Sequence, residues 1–238
     1  MSGPATNRII PETVLEPPRQ SSSVEEPREA APGVAMTFDD GPDPIWTPLV
    51  LRALEEAEAR ATFFAVAPLA RRYPGLIRSA LGNGHRVELH CSRHVRHTEM
   101  TRDEVEQDAR AGLRDLAEAC ASPTLWRPPW GVCAPWTQEV AADMGLGLAF
   151  WTEDTHDWRG DAAGEMLDGI GDDIGPGSVV LMHDGLGPGA RRKGCEQTVA
   201  LVGKLSRRIR ELGCEPRPMS PIPHVTDVTG GADSLEGK

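Results

Sequence analysis

The chain has 238 residues, 39% of them hydrophobic, which is enough for one large domain with a real core. A net charge of −11 argues against binding to phosphate backbones, which depends on clustered Lys and Arg, so no nucleic-acid partner is expected. No apolar run approaches a membrane span, and the first thirty residues lack a basic start followed by an apolar stretch, so the expectation is no membrane partner, no export signal and a cytoplasmic location.

Residues 1–30, rich in Pro, Ser and Glu, read as a flexible tail, residues 31–219 as the folded domain, and residues 220–238 as a second tail. "VAMTF" from position 34 predicts a first strand that runs straight into Asp39 and Asp40. Thr47 before Pro48 reads as the N-cap of a helix, after which "ATFFAV" from 61 and "HRVEL" from 85 predict two more strands, the latter leading to His90 and His94. Thr101 and Glu104 spell a capping box for a helix whose Val105, Ala109, Leu113, Leu116 and Cys120 recur at helical spacing. "TLWR" from 124 ends on Arg127, "LGLAFW" from 146 precedes Asp154 and Asp157, and "SVVLM" from 178 ends on His183 and Asp184. Val199, Val202, Leu205, Ile209 and Leu212 trace a last helix, and a weak "CEPRPM" from 214 completes seven strand candidates. Regular alternation of strand and helix implies an α/β fold with a parallel sheet. A closed or nearly closed β/α barrel is the first expectation, and an open doubly wound sheet is the alternative. Five scattered cysteines, an odd number, predict free thiols rather than a disulfide framework.

Nearly every polar cluster follows a strand, and in a β/α barrel the carboxyl ends of the strands share one face, so these groups converge on one site. His90 and His94, four apart, are a weak pair alone; an acidic residue from another strand end completes two imidazoles and one carboxylate, a set that leaves a catalytic zinc positions for water and substrate. The Asp39–Asp40 pair then divides its labour. One carboxylate holds the metal while the other, freed by the Gly41-Pro42 turn to face the same pocket, takes a proton from water that the metal has made acidic.

"TFDDGP", "HCSRH", "RPPWG", "DTHDW" and "LMHD" occur in the order of the five motifs of the polysaccharide deacetylases, carbohydrate esterase family 4, also called the NodB homology domain, and the resemblance spans roughly residues 33–219. It implies a distorted (β/α)7–8 barrel. It also implies Asp39 as general base, Asp40, His90 and His94 as ligands of one divalent metal ion, His183 as general acid, and Arg127 as the residue that orients the base. The acidic partner of His183 is then an Asp of "DTHDW", with Asp157 preferred over Asp154. Zn2+ suits these ligands best, with Co2+, Ni2+ and Mn2+ as alternatives. The substrate implied is a small molecule or oligosaccharide carrying an acetamide, with Trp130, Trp158 and Pro129 as walls of its groove and a backbone N–H near Trp130 as donor to the oxyanion.

Glu88 and Leu89 stand where members carry Gly-Asn, and Cys91 replaces a hydroxyl, departures that bear on the hydrogen bonds around the ligands. His97 reads as an exposed histidine before it reads as a further ligand, and "RRK" at 191–193 as a solvated loop. The reading that results is a metal-dependent N-deacetylase of an N-acetylated amino sugar. A metal-dependent C–N hydrolase of a ureide or cyclic imide, of the allantoinase kind, is the alternative enzyme, and a carbohydrate-binding relic of the fold the non-enzymatic one.

Overall fold

The computed structural model describes residues 31–220. The tails expected at 1–30 and 220–238 lie outside the described residues, Ser220 excepted. The strands are β1 (Gly33–Asp39), β2 (Thr62–Val66), β3 (Arg86–Cys91), β4 (Leu125–Trp126), β5 (Gly147–Leu148), β6 (Glu153–Asp154), β7 (Val179–His183) and β8 (Glu215–Arg217). The helices are α1 (Trp46–Glu56), α2 (Ala67–Arg72), α3 (Pro74–Gly82), α4 (Arg102–Glu118), α5 (Thr137–Asp143), α6 (Ala163–Ile170) and α7 (Glu196–Glu211). All seven expected strands are present. The eighth, β6, is two acidic residues long and carries no apolar signal.

Every residue of β1 is buried, which accounts for a run without alternation: Val34, Met36 and Phe38 pack beneath α1 and α7 on the outer face, while Thr37 and Asp39 face the interior of the curled sheet, where Arg127 bonds both. The strand order is β5-β4-β3-β2-β1-β7-β6, with β8 pairing beside β1, and every pairing is parallel. This order decides between barrel and open sheet. The edge strands β5 and β6 are joined by residues 149–152 alone, a link that reaches about 17 Å at full extension. Six flat inter-strand steps would span roughly 29 Å, so the sheet has to curl. The gap is bridged by chain rather than by a strand ladder: the Ala149 N–H donates to the Trp126 carbonyl and the Thr152 N–H to the Val179 carbonyl, each at 2.9 Å. The result is the distorted barrel of the expectation.

The capping box of α4 forms as predicted, Thr101 Oγ1 accepting from the Glu104 N–H and the Glu104 carboxylate from the Thr101 N–H. Val105, Ala109 and Leu116 are buried on its inner face, whereas Cys120 lies beyond its end and is exposed. Leu201, Val202, Leu205 and Ile209 bury the inner stripe of α7. Thr47 is not an N-cap. Helix α1 begins at Trp46, two residues before the expected Pro48, and Asp43 Oδ1 accepts from the Ile45 and Trp46 N–H groups. Thr47 is instead buried, its hydroxyl donating to the carboxylate of Asp184. All five cysteines are free thiols, and among the described residues no helix is long and apolar enough to cross a membrane.

Candidate active site

The carboxyl ends of β1, β3, β6 and β7, with the loops that follow them, open onto one cavity of about 350 Å³ lined by Asp39, Asp40, His90, His94, Asp154 and His183. Groups up to 144 positions apart are thereby neighbours, Asp39 standing opposite His183 in the register of β1 and β7.

The adjacency of Asp39 and Asp40 has a backbone solution. Asp40 adopts φ of 72°, in the left-handed region that Asp tolerates better than most side chains. That turn begins at Asp40 itself, one residue ahead of the Gly41-Pro42 break expected to supply it, and swings the second carboxylate into the pocket of the first. The space it enters is kept by glycine: a Cβ on Gly187, in the loop after β7, would overlap the Asp40 carboxylate.

Asp40, His90 and His94 offer ligand atoms that all lie within 4.8 Å of one another. His90 Nδ1 lies 2.8 Å from the Arg127 carbonyl, which assigns its N–H to that nitrogen and leaves the Nε2 lone pair facing Asp40 Oδ1 at 3.4 Å. His94 Nε2 stands 3.2 Å from the same oxygen. Asp40 Oδ1 is buried and has no hydrogen-bond partner. Acceptors converging on an unpartnered buried acceptor repel one another unless a cation or a proton sits between them, so the residues present fit a divalent ion. With protons in that place, burial pushes the Asp40 carboxyl up, yet the hydrogen bonds from both histidines and the positive charge of His90 hold it well below the usual carboxylate range. Burial opposes the charging of His90, but Asp39 and Asp40 outweigh it and raise its pKa.

Arg127 is wholly buried and forks between Thr37 Oγ1 and Asp39 Oδ1, each 2.8 Å from Nη1, while Nη2 donates to the Phe150 carbonyl at 3.1 Å. The same guanidinium therefore sets the Asp39 carboxylate and anchors the bridge that closes the barrel. Its cost of burial is offset by the ion pair and by the Phe64 ring 4.0 Å beneath it.

His183 Nδ1 meets Asp157 Oδ1 at 2.7 Å, and the His183 N–H donates to Asp157 Oδ2 at 2.9 Å. Asp157, not Asp154, is thus the partner. Burial opposes protonation of His183, but the Asp157 charge and hydrogen bond, aided by Asp40 and Asp39, raise its pKa to about 9. Burial likewise opposes ionisation of Asp157, and His183 and Arg192 draw its pKa down to about 2. Asp154 lines the cavity but pairs with His156, whose Nδ1 lies 2.9 Å away.

Trp130 and Trp158 line the cavity as expected, and so does Trp151, which sequence reasoning passed over. Trp130, with φ of 56°, sets its ring edge-on to His94 at 4.2 Å between centroids. Pro129 is buried behind that turn and is no wall. His97 is buried against Trp126 and bonded to Thr137 Oγ1, away from the ligand cluster. Glu88 is outside the ligand cluster too: its carboxylate accepts the Thr124 and Leu125 N–H groups at 2.7 Å each and pairs with Arg86, clamping β3 to β4. Cys91 is buried and stands outside the ligand cluster. Of the basic loop, Arg191 and Lys193 are exposed as expected, whereas Arg192 is turned inward against Asp157.

The chain matches the family model described as polysaccharide deacetylase over residues 27–149. It is 33% identical over 189 residues to a chitooligosaccharide deacetylase of Sinorhizobium fredii, covering 77% of this chain and 88% of that one. To a peptidoglycan-N-acetylglucosamine deacetylase of Bacillus cereus it is 31% identical over 182 residues, covering 76% and 83%. Among solved structures it resembles the family 4 carbohydrate esterase from Streptomyces lividans in complex with acetate, with a TM-score of 0.73 at 27% identity over 81% of this chain and 95% of that one.

Proposed function

The chain belongs to the polysaccharide deacetylase family, and from that premise we propose that it is a metal-dependent N-deacetylase that hydrolyses the acetamide of an N-acetylated amino sugar, free or within an oligosaccharide. The observation that carries this reading is the convergence, on one cavity, of a ligand cluster, an Arg-paired carboxylate and an Asp-paired imidazole.

Asp40, His90 and His94 would hold the cation, and their mixture of imidazole and carboxylate donors suits Zn2+, with Co2+, Ni2+ and Mn2+ as the alternatives to assay. When bound, such an ion polarises a carbonyl and lowers the pKa of water from about 15.7 toward 7. Asp39 acts as general base. Its Oδ1 is held by Arg127, and among the described residues no hydrogen bond occupies Oδ2, which is left to take a proton from the attacking water. His183 acts as general acid. With Nδ1 committed to Asp157, its other nitrogen gives a proton to the nitrogen of the breaking C–N bond, so that an amine departs rather than an amide anion. A backbone N–H near Trp130 is the proposed donor to the oxyanion, and Trp130, Trp151 and Trp158 are the proposed walls for a sugar ring.

The test is a substrate screen by mass spectrometry on metal-reconstituted protein, with N-acetylglucosamine oligomers beside ureides and cyclic imides. Acetate release is expected from the oligomers, and Asp39→Asn should lower kcat by about 10²- to 10⁴-fold with the metal retained. Ring opening without acetate release would transfer the protein to the alternative hydrolase class, and full activity in the variant would remove Asp39 as base.

A further inference from the structure

Arg192 carries more bonds than a surface arginine has use for. Its side chain is 5% exposed, in a loop whose neighbouring basic residues face water. Nη1 donates to Asp157 Oδ2 at 2.7 Å and to the Thr198 hydroxyl, and Nη2 donates to the carbonyls of His183 at 2.9 Å and Gly185 at 3.1 Å. Three segments remote in sequence therefore meet on one guanidinium: the turn after β6, the end of β7 and the first turn of α7.

We propose that Arg192 is a positioning residue for the acid: its fork ties the Asp157 carboxylate to the backbone that carries His183, so that Asp157 Oδ1 stays aligned with the imidazole. The physical need is clear from the carboxylate's freedom. An Asp side chain can turn about its last bond, and only one of its two oxygens, held in one direction, keeps the imidazole aimed at the cavity. Oδ2 is fixed from three sides, by Arg192, by Thr198 Oγ1 at 2.6 Å and by the His183 N–H. Arg192 is the only one of these that also holds the carbonyl side of His183. The fork geometry matters as well as the charge, because a lysine ammonium cannot serve a carboxylate and two carbonyls in one plane. The other charged groups facing His183 are Asp39 and Asp40 from the end of β1 and Asp154 across the cavity; none of them touches Asp157.

The inference deepens the deacetylase reading, and its test has one arm that does not depend on it. Proton NMR of the full chain is expected to show a strongly downfield resonance from His183 Nδ1–H bonded to Asp157. Arg192→Lys, which keeps the charge, should fold, while exchange of that proton with water becomes at least about tenfold faster. On N-acetylglucosamine oligomers the same variant should lose about 10- to 100-fold in kcat with KM within about twofold of wild type. Should the lysine variant not fold, Thr198→Val, nearly isosteric and charge-neutral, removes the hydroxyl bonded to both partners and should speed exchange about threefold. Unchanged exchange in a folded variant overturns the proposal, as does wild-type kcat in Arg192→Lys. A wild-type chain that releases no acetate would sink the deacetylase reading and leave the exchange comparison standing.

Discussion

His183 is the residue whose chemistry depends most on its neighbours. With a pKa raised from 6.5 to about 9, its proton contributes stability that is fully present below pH 6.5 and is lost as pH rises through about 9. Asp157, lowered from 3.8 to about 2, contributes above pH 3.8 and loses its share as pH falls through about 2. The pair is therefore intact between these limits. A cation in the same cavity repels the imidazolium, so the basic limb of kcat should fall below pH 9. In Asp157→Asn the attracting charge is gone while burial remains, and the limb should move to lower pH; a pH–rate profile that stays in place or moves up would take Asp157 out of this role. The histidine and its acidic partner were legible because each sits in a short motif at a strand end. Arg192 was not: a basic triplet in a Gly- and Pro-rich loop looks the same whether it faces water or a carboxylate 35 positions away.

At the scale of elements, apolar runs and capping chemistry located the longer strands and the helices, since β1, β2, β3 and β7 are buried enough to be written in Val, Phe, Leu and Ala. Strand β6 escaped because its two acidic residues earn their place by pairing with β7, not by burial. Helix α1 starts at Trp46, two residues before the expected Pro48, because the Asp43 carboxylate takes the Ile45 and Trp46 N–H groups ahead of it, and Thr47 was needed beneath Asp184. The loop after β7 shows the same division: His183 announces itself, whereas Gly187 matters only because the Asp40 carboxylate lies against it. Gly187→Ala is accordingly expected to push Asp40 out of line with His90 and His94 and to weaken zinc binding by about 10- to 100-fold. Calorimetric titration of the variant checks this, and wild-type affinity would mean that the loop yields instead.

For the molecule as a whole, the ligand cluster joins the ends of β1 and β3, the two strands on either side of β2. A cation there cross-links the centre of the sheet in the folded state alone, so binding must stabilise the fold, by about 2.7 kcal/mol at a hundredfold excess over Kd. The same site repels itself when empty of positive charge, and protons compete for it: the raised pKa of His90 means that a proton must leave before the nitrogen can serve as ligand. Added zinc should therefore raise the melting temperature more at pH 8 than at pH 6, and a chelator should reverse the gain at both. His94→Ala should abolish most of the difference, since it leaves one imidazole and one carboxylate where three donors stood. Thermal melts across that grid of pH and metal provide the check. A rise equal at both pH values, or one that survives His94→Ala, would place the cation elsewhere on a chain of net charge −11, whose many surface carboxylates bind zinc without needing a histidine to lose its proton.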